Sequence, residues 1–152
     1  MKNLLRIDSS LFLEHGVSQQ LADELVTRLT QHTTEVNVVQ RNLSNEDVPH
    51  IDGDWVTALS KPLEQRSAEQ QNKVSYSAQL IAEVQQADVL VIGAPMYNFS
   101  VPSILKAWFD HISQAGVTFT YTAQGAQGLL TGKTAYVITT RGGLHKDKPS
   151  DS

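Results

Sequence analysis

Short apolar runs alternate with amphipathic stretches along this chain. The apolar runs predict four strands, at residues 4–7, 35–39, 88–92 and 134–140. Between the strands, apolar residues recur every three or four positions, as on one face of a helix. The resulting order of strands and helices is typical of an open α/β sheet whose parallel strands are joined by right-handed crossovers.

Three helices are predicted from this spacing. The first has Ser18 as its N-cap, because a serine hydroxyl accepts a hydrogen bond from the free amides that open a helix. Its apolar face is formed by Leu21, Leu25 and Leu29. The second covers residues 67–86, and the third begins at Pro102 and is closed by Gly116. Residues 41–66 show no periodicity, so we expect a long connection with one helical turn there.

Ligands of open α/β sheets bind beyond the carboxyl ends of the strands. We therefore expect the functional residues in three loops, at 8–18, 93–102 and 141–148. The pattern predicts a single domain over residues 1–152, and a four-stranded sheet that ends in a glycine-rich loop looks unfinished.

Composition narrows the range of functions. The 152 residues include 12 Lys and Arg against 16 Asp and Glu, and the net charge of −4 argues against nucleic acid as the main partner. Cysteine is absent, which excludes disulfides, thiolate nucleophiles and cysteine-held metal clusters. The five histidines show no metal-ligand spacing, so no metal is predicted. No apolar run approaches the ~20 residues that cross a bilayer and no signal peptide is evident, so we expect a cytoplasmic protein without a membrane partner.

The first of the three loops is rich in hydroxyl groups. Residues 8–18 contain Ser9, Ser10 and Ser18 together with Gly16, and neither lysine nor arginine. Hydroxyls, backbone amides and the positive end of a helix dipole can bind a phosphate monoester without a countercharge. An ordinary serine-rich turn with a helix cap is the alternative that this stretch alone leaves open.

The two later loops suit contact with a flat ligand. Met96, Tyr97 and Phe99 follow a buried strand, where soft and aromatic side chains favour a conjugated ring, and Asn98 offers such a ring directional hydrogen bonds. The glycines of the third loop allow a backbone to approach a ligand closely. Taken alone, these stretches are also compatible with aromatic packing under a loop and with a turn that carries His145 incidentally.

Four stretches together resemble the FMN-dependent NADH-azoreductases, which are bacterial NADH:quinone oxidoreductases with a flavodoxin-like fold. They are Ser9-Ser10 with Ser18, Ala94-Pro95-Met96-Tyr97-Asn98-Phe99, Gly116-Val117-Thr118-Phe119-x-Tyr121 and Thr140-Arg141-Gly142-Gly143-x-His145. The resemblance runs over the whole 152 residues. It implies an open parallel sheet of order 2-1-3-4-5 with helices on both faces, of which the fifth strand and the closing helix are missing here. Residues 1–152 would then form one C-terminally incomplete flavodoxin-like domain, whose exposed fourth strand favours aggregation or self-association.

The resemblance also implies a cofactor site. The phosphate of FMN would be held by Ser10, Gly16, Val17 and Ser18. Family members often have Ser-x-Ser where this chain has Gly16-Val17-Ser18, so one hydroxyl is missing. The flavin ring and its ribityl chain would be bordered by Met96, Tyr97, Asn98 and Phe99. The pyrimidine edge of the ring would be followed by Thr140, Arg141, Gly142 and Gly143. The substrate would lie near Tyr121 and His145, with His145 as a candidate stabiliser of charge on the ring.

The activity that the resemblance implies is the two-electron reduction of quinones and the reductive cleavage of azo bonds, by ping-pong exchange with NADH. Each subunit of a homodimer would hold one FMN, with the active site at the subunit interface, and no side chain would act as a covalent or acid–base catalyst. The alternative is a flavodoxin-type electron carrier or an FMN-binding module without a substrate site. A serine hydrolase is disfavoured, because Gly16-Val17-Ser18-Gln19-Gln20 lacks the last glycine of a G-x-S-x-G motif.

Overall fold

The computed structural model describes residues 2–31 and 35–143. Its strands are β1 (Lys2–Asp8), β2 (Val36–Asn42), β3 (Val89–Pro95), β4 (Phe119–Thr122), β5 (Gly125–Gly128) and β6 (Thr134–Thr140). Its α-helices are α1 (Val17–Thr30), α2 (Gly53–Ser60), α3 (Ala68–Gln86) and α4 (Ser103–Ile112). The chain divides into a sheet unit, within residues 1–47, 87–106 and 132–152, and a helical unit, within residues 48–86 and 107–131.

The sheet unit is built on four parallel strands in the order β2-β1-β3-β6. Leu4 of β1 pairs with Val38 on one side and with Val89 on the other, and Val91 of β3 pairs with Tyr136. This order confirms the predicted open α/β sheet, with β6 as its fourth strand at the predicted bounds. Among the described residues, β6 pairs only with β3, so its outer edge has no strand partner there.

The two central strands are the apolar ones. β1 is buried from Leu4 onwards and β3 from Leu90 onwards, as expected for strands with neighbours on both sides and continuous apolar sequence. The outer strands β2 and β6 are largely exposed. β3 also runs further than predicted, through Gly93 to Pro95, so the second functional loop begins only at Met96.

One face of the sheet is covered by α1. Leu4, Ala22 and Val91 form the buried centre of this layer. Partly buried apolar side chains surround it: Leu25, Val26, Leu29, Val36, Val89 and Ile138. The predicted place of Leu21 on the apolar face was wrong, because the buried stripe runs through Ala22 and Leu21 is exposed. The predicted N-cap was also wrong: α1 begins at Val17 after Gly16, so Ser18 lies inside its first turn.

The helical unit contains more structure than the sequence predicted. Residues 41–66 hold the two-turn helix α2, whose N-cap Asp52 accepts a hydrogen bond from the Trp55 amide at 2.8 Å, besides short turns at 43–45 and 63–65. α3 confirms the predicted second helix. The third helix ends at Ile112 rather than at Gly116, because the chain there already turns into the β4–β5 hairpin: the Gly116 amide donates to the Phe119 carbonyl at 2.8 Å.

Within the part of the chain that the structure describes, none of the helices combines the length and the apolar character that crossing a membrane requires.

Candidate functional site

The three predicted loops meet at the carboxyl ends of β1, β3 and β6. A cleft of about 210 Å³ opens there. It is lined by Ser10, Phe12, Gly16, Val17, Ser18, Pro95, Met96, Tyr97, Thr140, Arg141 and Gly142. Most of the predicted cofactor residues are therefore brought to one place by the fold. That they bind a cofactor remains a prediction.

Two further openings adjoin this cleft. One, of about 270 Å³, shares Met96 and Arg141 with it and is also lined by Phe99. The other, of about 510 Å³, shares Tyr97 with it and is also lined by Asn98. The loop after β3 thus contributes its predicted residues to three neighbouring concavities rather than to one.

The first loop is held tightly from both sides. The Ser9 hydroxyl donates to the Gly93 carbonyl of β3 at 2.7 Å. The Ser44 hydroxyl, in the turn after β2, donates to the Ser10 carbonyl at 2.7 Å. Ser10 Oγ accepts a hydrogen bond from the Phe12 amide at 3.2 Å. Ser9, Ser10 and Ser18 are all buried. The position of the serine hydroxyls is therefore fixed by the chain itself.

Gly16 has a steric reason to be glycine. A Cβ at this position would lie 2.0 Å from Ser10 Oγ and 2.7 Å from Ser10 Cβ, so Ser10 occupies the space that a side chain would need. Gly16 is also the N-cap of α1, and the amides of Val17 and Ser18 belong to the first turn, where N–H groups have no carbonyl of their own helix to bond. The loop therefore presents hydroxyl and amide donors at the positive end of a helix dipole.

The second loop makes a tight hairpin turn. Tyr97 and Ser100 exchange backbone hydrogen bonds of 2.9 and 3.1 Å, and Asn98 and Phe99 between them have φ values of 51° and 63°. Positive φ at both central residues is the feature of a type I′ turn, for which asparagine is suited and phenylalanine is not. The Phe99 side chain is nevertheless held there with 62% of its surface exposed.

Tyr97 connects the second loop to the first. Its hydroxyl accepts a hydrogen bond from the Leu11 amide at 3.2 Å and lies 3.5 Å from Ser10 Oγ. Its ring meets the ring of Phe12 edge-to-face, with centroids 6.5 Å apart. Phe12 was not among the predicted site residues, because it lies within the apolar triplet Leu11-Phe12-Leu13, which gives no signal of a ligand contact.

The third loop begins in register with the second. The Met96 amide donates to the Thr140 carbonyl at 2.8 Å, which joins the ends of β3 and β6. A Cβ on Gly142 would meet no atom of the described residues within 4 Å, so this backbone faces open space. His145 lies outside the described residues. Tyr121 lies in β4 of the helical unit, exposed and packed edge-to-face on Phe119. The predicted substrate roles of both residues stay predictions.

Metal-ligating clusters are a further kind of site to consider. Among residues 2–31 and 35–143, no group of three or more His, Asp or Glu side chains is placed to hold a metal ion. The polar character of the cleft comes instead from serine and threonine hydroxyls, backbone amides and one arginine.

Comparison with known proteins connects this cleft to a family. A family model described as "Flavodoxin-like fold" matches residues 2–151. The FMN-dependent NADH:quinone oxidoreductase of Cellvibrio japonicus (strain Ueda107) is 53% identical over 152 residues, which are 100% of this chain and 76% of that protein. The chain belongs to this flavodoxin-like family. The agreement confirms the resemblance that the four sequence stretches carried.

Solved structures of the flavodoxin-like family agree with the fold. The crystal structure of an FMN-dependent NADH-azoreductase from Bacillus anthracis strain Ames Ancestor, in complex with FMN, superposes with a TM-score of 0.87 at 27% identity. The match covers 97% of this chain and 72% of that one. An azoreductase from Bacillus anthracis strain Sterne gives a TM-score of 0.89 at 25% identity and covers 99% of this chain and 74% of that one. Both are named azoreductases, and the first of them is described as FMN-dependent.

Proposed function

We propose that the chain is an FMN-dependent oxidoreductase that uses NADH to reduce quinones by two electrons and to cleave azo bonds. The observation that carries this proposal is the convergence of the serine loop, the Met96–Phe99 loop and the loop after β6 on one cleft at the carboxyl ends of the strands. The relatives at about half identity are named FMN-dependent NADH:quinone oxidoreductases.

The residues present fit the phosphate of FMN. Ser10 and Ser18 contribute hydroxyls, and Val17 and Ser18 contribute amides of the first turn of α1. Gly16 leaves the Ser10 side chain in place against the start of the helix. Backbone amides at a helix N-terminus bind phosphate without a neighbouring cation, and loop residues 9–18 contain no lysine or arginine.

The residues present also fit a flat ring. Met96, Tyr97 and Phe99 supply apolar and aromatic surface beside the phosphate loop. The open space in front of Gly142 lets the backbone of the third loop come close to a bound group. We assign Thr140, Arg141, Gly142 and Gly143 to the polar edge of the ring and Asn98 to its hydrogen-bonding groups.

Bound FMN would supply the hydride and electron chemistry that side chains lack. The task of this chain is then to orient: the serine loop fixes one end of the ligand and the 96–99 loop fixes the other. In each cycle NADH, a proton and a quinone become NAD⁺ and a hydroquinone, and an azo bond needs two such cycles to become two amines. The exposed Phe99 and the adjoining openings leave room for an acceptor. An enzyme needs space for an acceptor beside the flavin ring, whereas an electron carrier does not. The openings therefore favour an enzyme.

We further propose a homodimer with the active site at the subunit interface. The rim of the cleft carries large apolar side chains that are exposed in the single chain: Leu11, Phe12, Val17, Phe99 and Val101. A concentration of such side chains around a polar cleft is typical of a surface that another molecule covers. The proposed location is the cytoplasm, where NADH is supplied.

The test is NADH oxidation by the purified chain with added FMN and benzoquinone. We expect FMN-dependent turnover and parallel initial-rate lines, because two substrates that share one side of the cleft bind in turn. An electron carrier would bind FMN and leave NADH unoxidised. Initial-rate lines that intersect for every acceptor would contradict a binding site shared by NADH and the acceptor. Ser18→Asp should abolish FMN binding in a folded chain by placing a carboxylate against the phosphate, whereas Ser18→Ala should only weaken it.

A further inference from the structure

We propose that Arg6, a residue of β1 that would not touch the ligand, is the internal countercharge and positioning residue of the phosphate loop. This inference rests on the proposed function, since it concerns the same end of the cleft. It addresses why a loop without lysine or arginine can accept a dianion while a carboxylate is buried beside it.

The side chain of Arg6 is buried inside the sheet unit and fully engaged. Only 4% of the residue is exposed. Its Nε lies 2.8 Å from the carboxylate of Asp8, Nη1 donates to the carboxylate of Asp23, and Nη2 donates to the Gln19 carbonyl at 3.1 Å. Gln19 lies in the first turn of α1, so the guanidinium joins the end of β1 to the beginning of the helix.

The positive charge of Arg6 matters because it pairs with the buried carboxylate of Asp8. It is 1% exposed, at the last position of β1, directly before Ser9 and Ser10. A Cβ placed on Gly93 would lie 3.8 Å from Asp8 Oδ1 and 3.9 Å from Ser18 Cβ, so the carboxylate and the serine assigned to the phosphate both flank this glycine. Besides pairing with Arg6, the Asp8 carboxylate accepts a hydrogen bond from the Gln40 side-chain amide at 2.8 Å.

A buried carboxylate so close to a phosphate would oppose it unless it is paired. Arg6 provides the pairing from behind the loop, which leaves the hydroxyls and amides in front free to contact the ligand. Its bond to the Gln19 carbonyl also holds the first turn of α1 against β1. Arg6 therefore acts through Asp8 and Gln19, as a positioning residue rather than a contact.

The experiment compares the affinities of FMN and riboflavin, measured by quenching of flavin fluorescence. The two ligands differ only in the phosphate, so a general loss of structure weakens both and a loss of the countercharge weakens FMN alone. We expect Arg6→Met to reduce the preference for FMN by at least tenfold, since one unpaired charge about 10 Å from even a singly charged phosphate has an effect of this size at an effective dielectric near 20. Arg6→Lys should retain part of that preference.

The double variant Arg6→Met/Asp8→Asn should recover most of the preference, because the charge that opposes the phosphate is gone. Asp8→Asn alone should raise the preference for FMN several-fold, since the guanidinium then keeps only the carboxylate of Asp23. This single variant retains hydrogen-bond partners for Arg6 and for Gln40, whose amide can turn over. It therefore tests the proposal even if Arg6→Met does not fold.

The outcomes distinguish a failure of the proposed function from a failure of the role assigned to Arg6. If the natural chain binds FMN and riboflavin equally, the phosphate site of the proposed function is wrong and this inference is wrong with it. If the natural chain prefers FMN but Arg6→Met weakens both flavins equally, or Asp8→Asn leaves the preference unchanged, Arg6 is structural only and the proposed function stands.

Discussion

The two sides of the cleft are built in opposite ways. On the side of β1 and α1, the serine loop is buried and hydrogen-bonded to β3 and to the turn after β2. On the side of β6, the strand is mostly exposed, Val137 by 58%, and Gly142 faces open space. Within the described residues, the β1 side is therefore packed and hydrogen-bonded, whereas the outer edge of the β6 side has no strand partner.

The difference indicates how binding energy is divided. Groups that are already fixed lose little entropy when they meet a ligand, so the β1 side is preorganised for a rigid, charged group such as a phosphate. The β6 side makes fewer contacts among the described residues, so we expect its groups to lose more freedom when a ligand binds. Each prediction below changes one side and asks whether the other responds.

The largest effect is expected from Gly16→Ala on the β1 side. The new Cβ would overlap Ser10 Oγ at 2.0 Å, so the serine must leave its place in the loop. Overpacking of this kind costs ~1–3 kcal/mol, and we expect FMN affinity to fall between about tenfold and a hundredfold. Gly53→Ala is the matched control, because a Cβ there meets no described atom within 4 Å. Isothermal titration with FMN measures both; equal affinities for the two variants would contradict the steric role of Gly16.

The sequence predicted the sheet better than the details of the loops. β6 and α3 were predicted almost to the residue, because a β-branched run and a long amphipathic stretch give strong periodic signals. Ser18 was misplaced as the N-cap because serine favours that position in general, whereas here the contact between Ser10 and Gly16 decides where α1 begins. That contact joins residues six positions apart and leaves no periodic trace.

Other features depended on tertiary contacts. α2 is longer than the one helical turn predicted within residues 41–66, because its eight residues include a glycine and polar side chains and the helix is held by the Asp52 cap and by buried Trp55. The positive φ of Phe99 is likewise invisible in sequence, since phenylalanine disfavours it. The site residues were found because chemical type and position at strand ends, rather than periodicity, pointed to them.

The next largest effect is expected at the edge of the β6 side. Val137→Lys places a charge on an exposed edge strand. It should lower the association constant for self-association several-fold, because a charge on an edge strand blocks pairing with another strand. Val56→Lys in α2 is the control, since the two valines are 58% and 57% exposed and only one lies on a strand edge. Sedimentation velocity over a range of concentrations reports the change. A reduction of the same size for both variants would show that net charge, rather than the edge, controls assembly.

A smaller effect is expected at the tight turn of the second loop. Phe99→Gly removes the backbone strain of a side chain at φ 63° and should raise the free energy of unfolding by about 0.5–1 kcal/mol. Quinone KM should rise at the same time, because the exposed ring is lost from the cleft. Asn98→Gly, at φ 51°, should gain less stability, since asparagine tolerates this conformation. Thermal denaturation and steady-state kinetics are the measurements; a loss of stability in Phe99→Gly would contradict strain at this position.

The smallest effect is expected far from either side, in the helical unit. Lys73 Nζ lies 2.8 Å from Asp52 and 3.1 Å from Asp54. Its hydrogen bond lowers the pKa of Asp52, and hydrogen bonds from Gln70 and then Lys73 lower the pKa of Asp54. The two carboxylates in turn raise the pKa of Lys73.

These shifts fix the sign of a pH dependence. A carboxyl whose pKa is lowered on folding stabilises the chain above its unfolded pKa, and this stabilisation is lost as pH falls through the folded value. Lys73→Met should therefore make the chain slightly less stable at neutral pH and flatten its loss of stability in acid, with FMN affinity unchanged. Melting curves between pH 3 and 7 measure this, and a change in FMN affinity would show that the helical unit and the cleft are coupled.

If the fixed side of the cleft is a phosphate site, the chain must distinguish FMN from riboflavin, which lacks the phosphate. An equilibrium titration of the natural chain with FMN and, separately, with riboflavin, followed by flavin fluorescence, measures this directly. We expect one FMN per chain, with riboflavin bound at least tenfold more weakly because Ser10, Ser18 and the amides of α1 then lack their partner. Equal affinity for the two flavins, or binding of neither, would contradict it.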